Sequence, residues 1–136
     1  NIEAAKLLRE NWSSFSNWTD DQILNWIGIF NAKKQFWVVK NDEGKCVGVA
    51  AVRFLNCIEQ SEDLHSNHPD GHIAWVELVI GTEKYAVQTL WLAMMTHCSK
   101  NVTKLGGLSN NIPRLYDFKR YFKLLMNERI TYGQKI

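Results

Sequence analysis

The chain has 136 residues, 46% of them hydrophobic and 22% charged, with a formal net charge of +2. That length predicts one domain over residues 1–136 and that composition a packed soluble globule. The charge is too small to draw nucleic acid without a concentrated basic patch, so a nucleic-acid partner is not expected. No apolar run reaches the roughly 18–20 residues of a membrane span, and the opening NIEAAKLLREN lacks the apolar centre of a secretion signal, so no membrane partner is expected. Cys46, Cys57 and Cys98 lack the tight spacing of a disulfide framework or a Cys-based zinc site; reduced thiols in a cytoplasmic protein fit them best.

Taken in order, Ile2 to about Glu10 reads as a helix with Ala4, Leu7 and Leu8 on one side. Trp12 to Trp18 is a Ser/Asn-rich connector. Thr19-Asp-Asp-Gln22 is a capping box, in which Thr19 accepts from the third amide and Gln22 reaches back. The helix that it opens turns Ile23, Leu24, Ile27 and Phe30 inward and ends near Asn31. Phe36 to Lys40 and Lys45 to Leu55 read as an antiparallel hairpin about the turn Asn41-Asp-Glu-Gly44, with Gly48 marking a bulge. Asn56 to Gly71 is a polar loop, long enough to be functional or mobile.

Ile73 to Ile80 is nearly all apolar and rich in β-branched residues, as expected of a central strand covered on both faces. Gly81 breaks the run, and Thr82 can cap a long helix. Along that helix Val87, Leu90, Trp91, Met94 and Met95 recur at helical spacing to about Ser99 or Lys100. Thr103 to Leu108 reads as a short strand. Pro113 suits the first turn of a helix carrying Leu115, Phe118, Phe122 and Leu125. Glu128 to Tyr132 reads as the last strand. The order predicts an α/β or α+β domain with a mixed sheet, in which the crossover through the long helix makes its two flanking strands parallel neighbours.

Several side chains could carry chemistry. Glu77 is the one charge in the central strand, on the face of Ile73, Trp75 and Val79; it is either a base made useful by apolar neighbours or a buried acid paired with Arg53 or another base. His65, His68, Asp70 and His72 crowd the loop and strand start, but their spacing fits no zinc motif, and no metal is expected. Cys98 follows His97 directly, so the two would not face each other on a helix. Arg114, Lys119, Arg120 and Lys123 form a basic cluster that reads as a solvated helix face.

Three stretches resemble the GNAT superfamily of acyl-CoA-dependent N-acyltransferases: WVVKNDEGKCVGVAAVRF, HIAWVELVIGTEKYAVQTLWLAMM and LGGLSNNIPRLYDFKRYFKLL. They are similar to the family's second and third strands, its fourth strand with the cofactor helix, and its fifth strand with the helix after it. The resemblance implies a mixed, mostly antiparallel central sheet flanked by helices, with the parallel pair at the family's fourth and fifth strands. It implies acetyl-CoA or another acyl-CoA as donor and an amine, on a small molecule or a protein, as acceptor. On this resemblance Glu77 takes the amine proton and Tyr116 protonates the departing thiolate. The backbone of Leu78, Val79 and Ile80 pairs with the pantetheine arm, and Lys84, Tyr85, Ala86, Val87, Gln88 and Thr89 line the phosphates, with Asn110 as the family's Asn after the fifth strand.

The family's phosphate loop has the pattern [RQ]xxGxG/A. With Lys84 in the first place, Val87 and Thr89 stand where that pattern has glycines, and Glu83 adds a negative charge beside them. The alternative implied is a GNAT-fold binding or structural module without catalysis, of the kind met among small phage-encoded members. Six tryptophans leave room for an apolar homodimer interface.

Overall fold

The computed structural model describes residues 2–98 and 100–134. Its elements are α1 (Ile2–Asn11), α2 (Asp20–Ala32), β1 (Phe36–Lys40), β2 (Cys46–Leu55), β3 (Ile73–Gly81), α3 (Lys84–His97), β4 (Lys104–Ser109), β5 (Ile112–Asp117) and α4 (Phe118–Gln134). Short 3-10 turns lie at Ser13–Phe15 and Ile58–Glu62. The strands form one five-stranded sheet in the order β1-β2-β3-β4-β5. The β1–β2 and β4–β5 pairs are antiparallel, and β3–β4 is parallel, as the crossover through α3 requires. No helix among the described residues is long and apolar enough to cross a membrane.

Contacts group into two units: the chain up to Val52 with Leu78–Met94, and Arg53–Glu77 with the residues from Met95 onward. In the first, Leu7, Leu8, Ile23, Ile27, Phe30 and Phe36 are buried with Val49, Ala51, Leu78 and Ile80. The predicted capping box opens α2: Gln22 N donates to Thr19 Oγ1 at 3.2 Å, and Thr19 N donates to Gln22 Oε1 at 2.8 Å. Phe15, Trp18 and Trp26 pack edge to face, so the Ser/Asn-rich connector is held by its aromatic side chains. The expected bulge lies beside Gly48. Pairing jumps from Val39↔Gly48 to Lys40↔Cys46, which leaves Val47 as the extra residue. A Cβ on Gly48 would lie 2.9 Å from Leu90 Cδ1, so the missing side chain lets α3 lie close against β2.

In the second unit, Leu55, Ile73 and Trp75 form a buried cluster with Ile58 against it. Its carboxyl-terminal part departs from the sequence expectation. Ile112–Asp117 is an edge strand, not the first turns of a helix, and α4 runs unbroken through Glu128–Tyr132, where a last strand is expected. Asn110 and Asn111 take φ values of +52° and +64°, which closes a two-residue hairpin turn between the paired residues Ser109 and Ile112. Pro113, read as a helix opener, sits on the sheet edge, where its missing N–H costs little. The helix starts instead at Phe118, where Asp117 Oδ2 accepts from Arg120 N at 3.0 Å. Once begun, it carries the β-prone Ile130-Thr131-Tyr132 along with it. Arg114 therefore lies on β5 while Lys119, Arg120 and Lys123 lie on α4, so the basic cluster is not one helix face.

Candidate functional site

The first unit carries the turn from β3 into α3. Leu78 and Ile80 point into its core and fix the strand's carboxyl end. The bulged Val47 turns its carbonyl toward this end, where Thr82 N donates to it at 2.9 Å and Thr82 Oγ1 at 3.4 Å. The Thr82 hydroxyl is thus bonded to β2, and the helix begins two residues later. Ala86 N and Val87 N both donate to Glu83 O, at 3.1 and 3.4 Å. A Cβ on Gly81 would fall 2.6 Å from Val87 Cγ2, so the valine side chain covers the glycine. Thr89 Oγ1 donates back to Tyr85 O at 2.8 Å.

At the amino end of α3 is an open cleft of about 440 Å³ lined by Lys40, Asn41, Asp42, Glu43, Glu83 and Tyr85. Its other wall is the β1–β2 turn, held by Asn41 Oδ1, which accepts from Glu43 N at 3.0 Å and Lys45 N at 2.9 Å. Tyr85 is bonded to Glu83, and its phenol is pushed above the usual range by desolvation, then by that bond and by the charges of Glu83 and Asp42. Three carboxylates against one lysine line this cleft. Asp42 and Glu43 were invisible as site residues in the sequence because a polar Asn-Asp-Glu-Gly turn needs no explanation beyond its turn chemistry.

The second unit carries Glu77. Its Oε2 accepts from Arg53 Nε at 2.6 Å; the arginine side chain is 2% exposed and the glutamate 18%. The rest of the guanidinium is bound by the backbone of the 56–71 loop. Nη1 donates to Asp63 O at 2.6 Å and Ser66 O at 3.2 Å, and Nη2 donates to Ser61 O at 2.8 Å. Further bonds tie the loop to β2: Phe54 N to Asn67 Oδ1 at 3.0 Å, and His68 N to Phe54 O at 2.7 Å. The pairing with Arg53, one of the roles open to Glu77 from sequence, is therefore present, and it engages Oε2. The lone arginine in VGVAAVRFL was the readable signal for this clamp. Among the described residues no group of three or more His, Cys, Asp or Glu side chains could hold a metal ion. Burial pushes the Cys98 thiol up to about 11, which makes it a poor nucleophile.

In the same unit the parallel register of β3 and β4 runs from Ile73↔Lys104 to Trp75↔Gly106. Both strands continue beyond it, to Gly81 and Ser109. A Cβ on Gly106 would lie 2.8 Å from Trp75 Cε3, so the glycine lets the indole lie flat on β4. Tyr116 is half-exposed on β5, opposite Leu105, with its ring 5.8 Å from that of Tyr121. Asn110 is in the hairpin turn. Asn110 directly follows β4, and Tyr116 lies on β5 rather than on the helix expected for it. Leu78, Val79, Ile80 and Lys84 to Thr89 thus share one unit, and Glu77, Asn110 and Tyr116 the other.

No protein-family model and no curated protein matches the sequence. Two solved structures do match. One is the GphF GNAT-like decarboxylase in complex with isobutyryl-CoA, at TM-score 0.59 and 12% identity, covering 77% of this chain and 58% of that one. The other is the loading GNATL domain of CurA from Lyngbya majuscula, at TM-score 0.55 and 16% identity, covering 80% of this chain and 61% of that one. This chain has a GNAT-like fold. It spans about three fifths of the length of each of these GNAT-like structures.

The cofactor that a GNAT-like fold implies can be tested against the residues at α3. A diphosphate cradle needs free amides, glycines for close approach and no negative charge. Here the Ala86 and Val87 amides are bonded to Glu83 O, Val87 covers Gly81, and Asp42, Glu43 and Glu83 border the helix end. These residues do not fit the diphosphate.

Proposed function

We propose that this GNAT-like chain binds an acyl thioester along β3 and passes the acyl group to an amine. The observation that carries this reading lies within the second unit, where the parallel register ends at Trp75↔Gly106 while Val76 and Glu77 of β3 and Gly107 to Ser109 of β4 go on as strand. Strand edges past such an end offer N–H and C=O groups to an extended amide-containing arm such as pantetheine. The GNAT-like neighbour solved with isobutyryl-CoA supports a CoA-type thioester as the ligand class. On this reading Glu77 is the candidate base, with Arg53 holding Oε2 and the free oxygen facing the amine, and Tyr116 is the candidate acid. The cytoplasm suits three cysteines that form no disulfide with one another.

Isothermal titration with acetyl-CoA and with S-acetylpantetheine at millimolar concentration tests binding; heat from neither would remove the reading. Thiol release in the presence of primary amines tests transfer. Glu77→Gln keeps an acceptor for Arg53 and should lower that release by about 100-fold or more if Glu77 takes the proton.

A second reading is favoured by the turn itself. The bonded amides and three carboxylates at α3 suit a GNAT-like binding module without catalysis. Thioester binding without thiol release under any amine would select it.

A further inference from the structure

We propose that the thioester taken by this chain is a pantetheine thioester without the nucleotide end of CoA, and that the amino end of α3 acts against CoA's phosphates. This rests on the proposed function, in which a thioester lies along β3. Two independent features of the first unit carry it. The first is conformational: Ala86 N and Val87 N are turned into Glu83 O, and Val87 Cγ2 occupies the space over Gly81 that an approaching phosphate would need. Freeing those amides would mean opening the first turn of α3. The second is electrostatic: Asp42 and Glu43 from the β1–β2 turn and Glu83 from the helix end line one cleft, with Lys40 as the single cation among its lining residues. Lys45, from the same turn, lines a different cleft with Glu3, Lys6 and Glu10. Lys84 opens α3 but does not line this cleft, and a helix dipole is a small effect that falls off within the first turn, so the three carboxylates against Lys40 set the charge there. The carboxylates belong to a rigid frame, because Asn41 fixes the turn and Val47 fixes Thr82. The apolar strand end, Leu78 to Ile80, carries no such charge and leaves the uncharged part of a thioester unopposed.

The test titrates three probes of rising charge: S-acetylpantetheine, S-acetyl-4′-phosphopantetheine and acetyl-CoA, each at low and high salt. Affinity should fall along the series, with acetyl-CoA about three- to tenfold weaker than S-acetylpantetheine at low salt and the gap closing as salt screens the carboxylates. The triple variant Asp42→Asn, Glu43→Gln, Glu83→Gln should close the same gap at low salt while leaving S-acetylpantetheine unchanged. Acetyl-CoA binding as well as or better than S-acetylpantetheine would overturn the proposal and leave the thioester reading standing. A gap that survives the triple variant, with its fold verified by circular dichroism, would overturn the assignment to these carboxylates. Binding of none of the three would remove the thioester reading, and this proposal with it.

Discussion

The 56–71 loop and the Gly81–Val87 turn exchange the characters that their sequences suggest. The loop is polar, long and rich in His, Asn and Asp, which reads as a functional or mobile segment. It is instead bound to the buried Arg53 by three backbone carbonyls and to β2 by Asn67 and His68. The turn is the phosphate site that the resemblance implies, yet the Ala86 and Val87 amides are bonded to Glu83 O and Val87 covers Gly81. A polar sequence is not a loose one when one buried guanidinium can satisfy several carbonyls. A turn in the expected place makes a poor phosphate site when a valine covers its glycine and carboxylates border it.

The comparison breaks most readily at Arg53. Arg53→Met should destabilise the protein by about 3–5 kcal/mol, since it leaves Glu77 and three loop carbonyls without their partner. Chemical denaturation gives the loss, and limited proteolysis should show new cuts between residues 56 and 71. Cuts elsewhere, with the loop still protected, would mean that the loop does not depend on the clamp.

The turn is probed by Gly81→Ala. The added Cβ meets Val87 Cγ2, so a loss of about 1–3 kcal/mol is expected, and Val87→Ala in the same chain should recover much of it. Additive losses in the double-mutant cycle would show that Val87 does not close the turn.

Acid separates the two regions. Asp63 is held below the usual carboxylate range by the His65 amide and then by the Ser66 hydroxyl. Its contribution is complete above the unfolded value of 3.8 and is lost as pH falls through the lower folded value. Amide exchange in the loop should therefore accelerate below that pH before the β3–α3 turn responds, and Asp63→Asn should blunt the change.

Lys34 lies in neither region and serves as the smallest test. It sits at φ +57° just after α2, where glycine is at ease, so Lys34→Gly should stabilise by about 0.5 kcal/mol without altering loop or turn. A destabilised variant would show that the lysine side chain outweighs the backbone strain.

The chain shows which parts of such a fold are legible. Thr19 and Gln22 announced the start of α2, because a capping box is made by residues three apart. Phe36 to Lys40 was readable as β1 to the residue, from its apolar run and the Asn-Asp-Glu-Gly turn after it. Asn110-Asn111 misled, since the pair serves a hairpin at positive φ as readily as it precedes a helix, and Pro113 is allowed both on a sheet edge and in a first helical turn. Of the site, Glu77 and Arg53 as one possible partner for it were readable; that Arg53 also gathers the loop carbonyls was not.

The sequence by itself determined the helices and strands from Ile2 to His97, the parallel crossover and the GNAT-like order, because periodicity, caps and turn residues act over a few positions. Only the tertiary structure decided where Thr82 points, what occupies the space above Gly81 and which charges meet at the end of α3. Those depend on the bulge at Val47 and on the β1–β2 turn far upstream, and no local pattern carries information over that distance.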